Sequence, residues 1–282
     1  MIVFGDLHLN RPYNDYKLKL NSKRFNSLQE AYAVGLLRYI IETVNRYDKL
    51  NPDIIFLGDI THYNQDNFDY FIDIIDEIKL IKPYSNIIVV LGNHDSSGSY
   101  NLEKAKINKL DGYKGLQIIN KPSIVNNMLL LPYIKQELIP VLINESNNID
   151  LVLSHNNIYD SDEYGGKSMI NYNKLKPVRL INGHIHRYFL KPGYYQIGSA
   201  APTSFKEYMY AAGGCIVNDR LDVNCFINKY MLFMSVNDVD YLFDAEDILH
   251  KADFYDSIVF LNTQFKKLYD YKCIVGIVNE DK

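Results

Sequence analysis

The chain has little cysteine, no broad excess of either charge, and no apolar run approaching the length of a membrane span. Its three cysteines, Cys215, Cys225 and Cys273, sit singly in apolar contexts. An odd, unclustered set resembles neither a disulfide framework nor a thiolate zinc site, and it fits a reducing compartment. Against 30 basic residues stand 34 acidic ones, for a net charge of -4. That balance gives no support to a broadly basic protein that coats nucleic acid. Met1 runs at once into Ile2-Val3-Phe4, with neither a basic leader nor an apolar stretch before Asp6, so no signal peptide is expected. Membrane-spanning helices need roughly 20 apolar residues in a row; a cytoplasmic protein with no membrane partner is the expectation. No internal repeat or low-complexity tract interrupts the 282 residues.

What is present suffices for a large core. Hydrophobic residues make up 47% and charged residues 23%, a composition of folded rather than disordered chains. The length allows one large domain, or one with a smaller companion. Ile2 to Phe4 reads as a short buried strand ending on Gly5-Asp6-Leu7-His8. From Arg24 to Val44 apolar residues recur at helical spacing (Phe25, Leu28, Tyr32, Leu36, Tyr39, Ile40, Val44) until Asn51-Pro52 breaks the pattern. Ile54 to Leu57 reads as the next strand, ending on Gly58-Asp59. A second amphipathic helix follows, with Phe68, Phe71, Ile72, Ile75 and Ile78 on its inner side. Strand three, Ile87 to Leu91, ends on Gly92-Asn93-His94-Asp95. This rhythm of fully apolar strands and helices predicts a sheet covered on its faces. The second half is richer in short strands, at Met128 to Leu131, Leu151 to Leu153, Val178 to Ile181 and Tyr195 to Ile197. Beyond Tyr208 the pattern changes, with strands near Gly214 to Val217 and Cys225 to Phe233 and a helix near Ala245 to Lys251.

The polar residues at the strand ends point to chemistry. Asp6, Asp59, Asn93, His155 and His184 all come within about three residues of a strand's carboxyl end, where loops converge on a rigid sheet. Carboxylate, imidazole and amide oxygen together suit manganese, iron, zinc or a similar divalent ion. Two such ions would set the local field whatever the net charge. In Asp6-Leu7-His8 and His184-Ile185-His186 the i, i+2 spacing predicts side chains pointing the same way, with the apolar residue turned inward. Asp59, emerging centrally, is the natural bridge between two ions. His250 stands alone and reads as a surface or structural residue.

In that order these motifs resemble the calcineurin-like metallophosphoesterase superfamily: Asp6-Leu7-His8, Gly58-Asp59, Gly92-Asn93-His94-Asp95, the isolated His155 and Gly183-His184-Ile185-His186 meet its pattern. The resemblance implies an α/β fold, a four-layer sandwich of two mixed β-sheets flanked by helices, with a small α+β C-terminal cap. Residues 1–208 would form the phosphoesterase domain and 209–282 the cap. Smaller features narrow the resemblance to the nuclease subunit of SbcCD/Mre11–Rad50 complexes, including phage recombination nucleases. They are the basic stretch leading to Arg24-Phe25, His62 three residues beyond Asp59, Leu131-Pro132-Tyr133, and the run Gly198-Ser199-Ala200-Ala201-Pro202-Thr203-Ser204-Phe205-Lys206-Glu207.

The resemblance implies that Asp6, His8, Asp59 and His186 hold one ion, and Asp59, Asn93, His155 and His184 the other. Manganese comes first, with magnesium, iron or zinc as alternatives. His94 would contact the phosphate and assist the leaving oxygen as a non-ligand, Asp95 would orient its loop, and His62 would position DNA or phosphate. Arg11, Lys17, Lys19, Lys23 and Arg24 are the basic candidates for DNA, with Tyr13 and Tyr16 to stack on bases and Arg187 beside the last ligand pair. The implied activity is a divalent-metal-dependent DNA nuclease, an exonuclease and single-strand endonuclease in repair, recombination or replication, in a bacterial cell or in the host cytoplasm if phage-encoded. Its partners would be DNA, an SbcC/Rad50-type ATPase and a second copy of the chain. The short tail beyond Glu207 leaves little room for helices that grip an ATPase, and the serine-rich stretch after Asp95 offers no obvious dimer surface. The alternative is a metallophosphatase or phosphodiesterase acting on a small phosphoester, cyclic nucleotide or phosphoprotein.

Overall fold

Strict alternation of side chains along short, fully buried strands divides the interior into separate cores. A computed structural model describes residues 1–11, 18–21, 24–159, 170–175, 178–203, 213–228, 230–236, 242–254, 257–263, 271 and 273–278. In the first half these form β1 (Ile2–Phe4), β2 (Leu18–Leu20), α1 (Leu28–Arg46), β3 (Ile54–Leu57), α2 (Asp69–Ile81), β4 (Ile87–Val90), β5 (Leu116–Ile119), β6 (Ser123–Val125), β7 (Met128–Leu131) and α3 (Leu138–Glu145). There follow β8 (Leu151–Ser154), β9 (Ile158–Tyr159), β10 (Ile170–Asn171), β11 (Arg179–Asn182), β12 (Phe189–Lys191), β13 (Tyr194–Gln196), β14 (Gly213–Val217) and β15 (Val223–Ile227). Last come β16 (Met231–Val236), α4 (Leu242–Phe254), β17 (Ile258–Thr263) and β18 (Ile274–Val278).

Two six-stranded mixed sheets pack face to face, in the orders β15-β14-β1-β3-β4-β5 and β12-β13-β11-β8-β7-β6. Strands β1, β3, β4 and β5 run parallel, as do β7, β8, β11 and β13, and antiparallel strands close the remaining edges. Because successive side chains point to opposite faces, Phe4, Phe56 and Val89 meet Leu36 and Ile40 of α1 and Phe71 and Ile75 of α2. Val3, Ile55, Leu57 and Val90 instead face Leu130, Leu153 and Ile181 of the second sheet. The outer face of that sheet, with Leu129, Val152 and Leu180, is covered by Ile139 and Ile143 of α3. The layers are therefore helix, sheet, sheet, helix, as expected. Among the described residues no helix is long and apolar enough to cross a membrane.

Three local differences from the sequence reading have physical causes. α1 starts at Leu28 rather than Arg24, because the Ser27 side chain accepts the Glu30 backbone N–H at 3.0 Å and caps the helix there. The expected single strand over Cys225 to Phe233 is two. Asn228 lies buried between them, donating to the Ala200 carbonyl at 2.9 Å while its side-chain oxygen accepts the Tyr230 N–H. Cys215 and Cys225, far from clustered in sequence, lie directly opposite each other where β14 pairs with β15.

Strands β16, β17, β18 and β2 form a third, four-stranded sheet with a small core of its own. That sheet leans on α1 at Gly35, where an added Cβ would lie 2.5 Å from Met231 Cγ and 3.2 Å from Ile258 Cδ1. The 208/209 boundary lies outside the described residues. Beyond it, β14 and β15 still pair in the first sheet, and the third sheet takes up the chain from Met231.

Candidate metal centre

Every motif residue expected at a strand's carboxyl end is found there, and the two sheets bring those ends to one place. Beyond β1 and β3 the loops are knitted together: the N–H groups of Leu7 and His8 both donate to the Asp59 carbonyl, at 3.1 and 2.8 Å. Three of the site residues occupy the left-handed region, His8 at φ 49°, Asp59 at φ 46° and His184 at φ 67°. For residues with a Cβ this conformation costs on the order of 1–3 kcal/mol each, and it persists only where the surroundings impose it. It also changes the geometry expected of the i, i+2 pairs. Leu7 is buried as foreseen, but the turn at His184 sends its ring and that of His186 to different groups of ligands.

The first group is Asp6, His8 and His186, and the second is Asp59, His155 and His184; within each, the ligand atoms lie inside 4.8 Å of one another. His8 Nε2 faces His186 Nε2 at 2.9 Å, and His186 Nε2 lies 3.5 Å from Asp6 Oδ2. His155 Nε2 lies 3.3 Å from both Asp59 Oδ2 and Asn93 Oδ1, and His184 Nδ1 lies 2.8 Å from Asn93 Oδ1. Asp59 sits between the groups, 3.8 Å from His8 Nε2 through the same oxygen.

The outer nitrogens of these rings decide what the inner ones offer. His155 Nδ1 is 2.7 Å from the Leu57 carbonyl, and His184 Nε2 is 2.7 Å from Asn157 Oδ1. Both partners are acceptors, so each ring keeps a proton on its outer nitrogen, and its neutral form turns a lone pair inward. His8 Nδ1 faces His62 Nδ1 at 3.2 Å, and His186 Nδ1 faces Thr203 Oγ1 at 3.3 Å. His184 Nδ1 with Asn93 Oδ1 and His8 Nε2 with His186 Nε2 face each other at 2.8–2.9 Å, and each pair is stable only with a proton or cation between its atoms. Asp6 Oδ2 is buried and accepts no hydrogen bond among the described residues. A buried carboxylate oxygen left in this way is costly without positive charge nearby. The donor set fits a pair of divalent cations.

Burial and mutual charge set the electrostatics. Burial, then His186, hold the His8 imidazole well below its ordinary value. Burial, then His155, bring His184 down to about 4. For His155 burial works against the charge, but the Asp59 and Asp6 carboxylates outweigh it and hold the ring well above its usual value. Burial beside Asp59 pushes the Asp95 carboxyl up to about 7. Asp95 Oδ2 accepts the Gly92 N–H at 2.9 Å and Oδ1 the Thr61 N–H at 3.2 Å, so it ties the loops after β3 and β4 together.

Gly92 shows how tightly that loop is packed. A Cβ there would lie 2.1 Å from Asp59 Oδ1 and 2.7 Å from His155 Nε2. Gly92→Ala must therefore move the central carboxylate. The expected result is Mn2+ binding weakened at least about tenfold with the circular dichroism spectrum intact, measured by calorimetric titration. Unchanged affinity would show that Asp59 is not where the ions bind.

His94 stands beside the two groups. Its backbone N–H donates to Asp59 Oδ1 at 2.8 Å, and its Nδ1 lies 2.7 Å from the His62 carbonyl, so Nδ1 carries the proton and Nε2 is turned to the site. The His62 ring stacks on it, with centroids 4.8 Å apart and planes at 23°. Burial, then Arg11, lower His62 to about 4. His8, His62 and His94 make a third group of ligand atoms within 4.8 Å.

The described basic candidates lie on different segments of the chain. Arg11 is half-buried near His62, and Arg24 and Arg187 are exposed. Lys19 lies on β2 in the third sheet, opposite Ile277. Lys17, Lys23, Tyr13, Tyr16 and the stretch 204–207 lie outside the described residues. Sequence reasoning missed Asn157, whose signal was its position two residues after His155, and Thr203.

A family model described as calcineurin-like phosphoesterase matches residues 1–188. No curated protein matches the chain. Among solved structures, the nuclease MPE of Pseudomonas putida is matched at 11% identity with a TM-score of 0.32, over 70% of this chain and 65% of that one.

Proposed function

The chain belongs to the calcineurin-like phosphoesterase family, and from that premise we propose that it is a two-metal phosphodiesterase acting on DNA, of the SbcD/Mre11 nuclease type. Asp6, His8, Asp59 and His186 would hold one ion and Asp59, Asn93, His155 and His184 the other, with manganese as the working metal. When bound, such a pair lowers the pKa of water and offsets the charge that develops on the phosphate.

The chain's own residues supply the rest. His94 Nε2 is the group for the leaving 3′-oxygen. With Nδ1 keeping its proton on the His62 carbonyl, the imidazolium form would carry a second proton on Nε2 and give it to that oxygen as the phosphorus–oxygen bond breaks, leaving the neutral ring. The His62 carbonyl fixes which His94 nitrogen can act, and Asp95 holds the loop that carries it. The observation that carries the nuclease reading over a monoesterase is this His62–His94 pair, two imidazoles beyond the seven ligands. Arg11, Lys17, Lys19, Lys23, Arg24 and Arg187 are proposed phosphate contacts along the strand. The third sheet, which carries Lys19, is the proposed cap over DNA, with the domain boundary between β15 and β16. An SbcC-type ATPase and a second copy of the chain are the proposed protein partners.

The test compares end-labelled linear DNA, closed circular single-stranded DNA and a simple phosphomonoester, each with Mn2+ or Mg2+. Metal-dependent degradation of both DNAs is expected, faster with Mn2+. Hydrolysis of the monoester alone would replace this reading with a phosphatase.

A further inference from the structure

An aromatic stack begins at the His184 ring. The Tyr133 ring lies 5.6 Å from that of His184, tilted by 35°, and the Tyr100 ring lies parallel to Tyr133, 5.0 Å away with 10° between planes. Tyr133 is half-buried, whereas Tyr100 keeps 47% of its surface exposed.

Both rings are held in place by backbone. The Tyr133 N–H donates to the Leu91 carbonyl at 2.9 Å, joining the ends of β7 and β4. The turn before Tyr100 is closed by Gly98 N–H to the Asn93 carbonyl at 2.6 Å, and Leu102 just after it is buried in the core. Tyr100 thus hangs from the same loop as Asn93 and His94. A large, rigid, solvent-exposed ring costs little entropy to use, and its π-face binds another flat ring without regard to its hydrogen-bonding edge.

We propose that Tyr100, backed by Tyr133, is the platform on which a nucleobase next to the scissile phosphate stacks. The proposal rests on the nuclease reading and adds to it that the substrate strand is splayed at the site, with one base unstacked from its neighbours. All four bases are accepted, because stacking reads no sequence.

Tyr100→Ala and Tyr100→Phe are compared with wild type on a set of single-stranded oligonucleotides, each with one abasic position near the cleavage site. Tyr100→Ala raises KM on intact DNA by about 5- to 100-fold, and Tyr100→Phe restores most of it. On the oligonucleotide that lacks the stacked base, wild type suffers the same rise and Tyr100→Ala adds nothing further. An equal penalty from Tyr100→Ala on every oligonucleotide overturns the platform and leaves the nuclease reading standing. Wild type that cleaves no oligonucleotide overturns the nuclease reading, and the platform falls with it. Thermal melting of each variant separates loss of fold from loss of stacking.

Discussion

His94→Ala lowers the rate of DNA cleavage by about 10²- to 10⁴-fold while the protein still binds two Mn2+ ions per chain. The two halves of this result separate a proton donor from a ligand. His94 is tied to Asp59 through its backbone N–H, which alanine retains, and its Nδ1 is taken by the His62 carbonyl. Removing the ring therefore leaves the Asp59 carboxylate where it was. The loss also depends on the leaving group. A sugar 3′-oxygen departs as a strongly basic alkoxide and needs a proton, whereas a nitrophenolate does not. His94→Ala should cost much less on a bis(nitrophenyl) phosphodiester than on DNA. A stoichiometry below two ions in a titration, or equal losses on both substrates, would remove His94 from the acid's role.

Asp59→Asn is expected to be at least as damaging, and for a different reason. Asp59 faces His155 and His8 with one oxygen and receives the His94 N–H with the other. Its neutral isostere keeps one oxygen and loses the charge that the two ligand groups share. Cleavage should fall by about 10³-fold or more, roughly 4 kcal/mol in the barrier, and at most one ion should remain bound. The clearest readout is thermal. Wild type is expected to melt at a higher temperature as Mn2+ is added, in proportion to the logarithm of its concentration above the dissociation constant. In Asp59→Asn most of that rise disappears. A full rise in the variant would mean that the ions are held without it.

Much of the fold was legible because its strands are so plain. Ile54 to Leu57 and Ile87 to Val90 are uninterrupted apolar runs, and runs buried on both faces belong to a covered parallel sheet. The motif residues were legible for the same reason, since each follows such a run. What the sequence did not reveal was direction. The i, i+2 spacing of His184 and His186 suggested side chains pointing the same way, yet a left-handed turn at His184 sends them to different groups, the division that the family resemblance implied. No propensity predicts a histidine at φ 67°; it is imposed by tertiary contacts, among them Asp6 Oδ1 accepting its N–H at 3.1 Å. The outer partners were hidden too. Asn157 and Thr203 are ordinary polar residues until folding puts them behind an imidazole. The pairing of β14 with β1 was likewise invisible, because nothing local in either strand names its partner.

That last pairing bears on when the site can exist during synthesis. Val3 sits opposite Cys215, and the amino group of Met1 donates to the Val217 carbonyl at 3.0 Å. At roughly 5–20 residues per second, the ribosome takes some ten seconds or more to travel from one partner strand to the other. Through that interval β1, which carries Asp6 and His8, has an open edge. The strand that opens the chain is thus among the last to be fully enclosed, and closing so long a loop is slow. A nascent chain caught midway displays its motif residues before it can arrange them, and the enclosed site arrives only after β14 has left the ribosome.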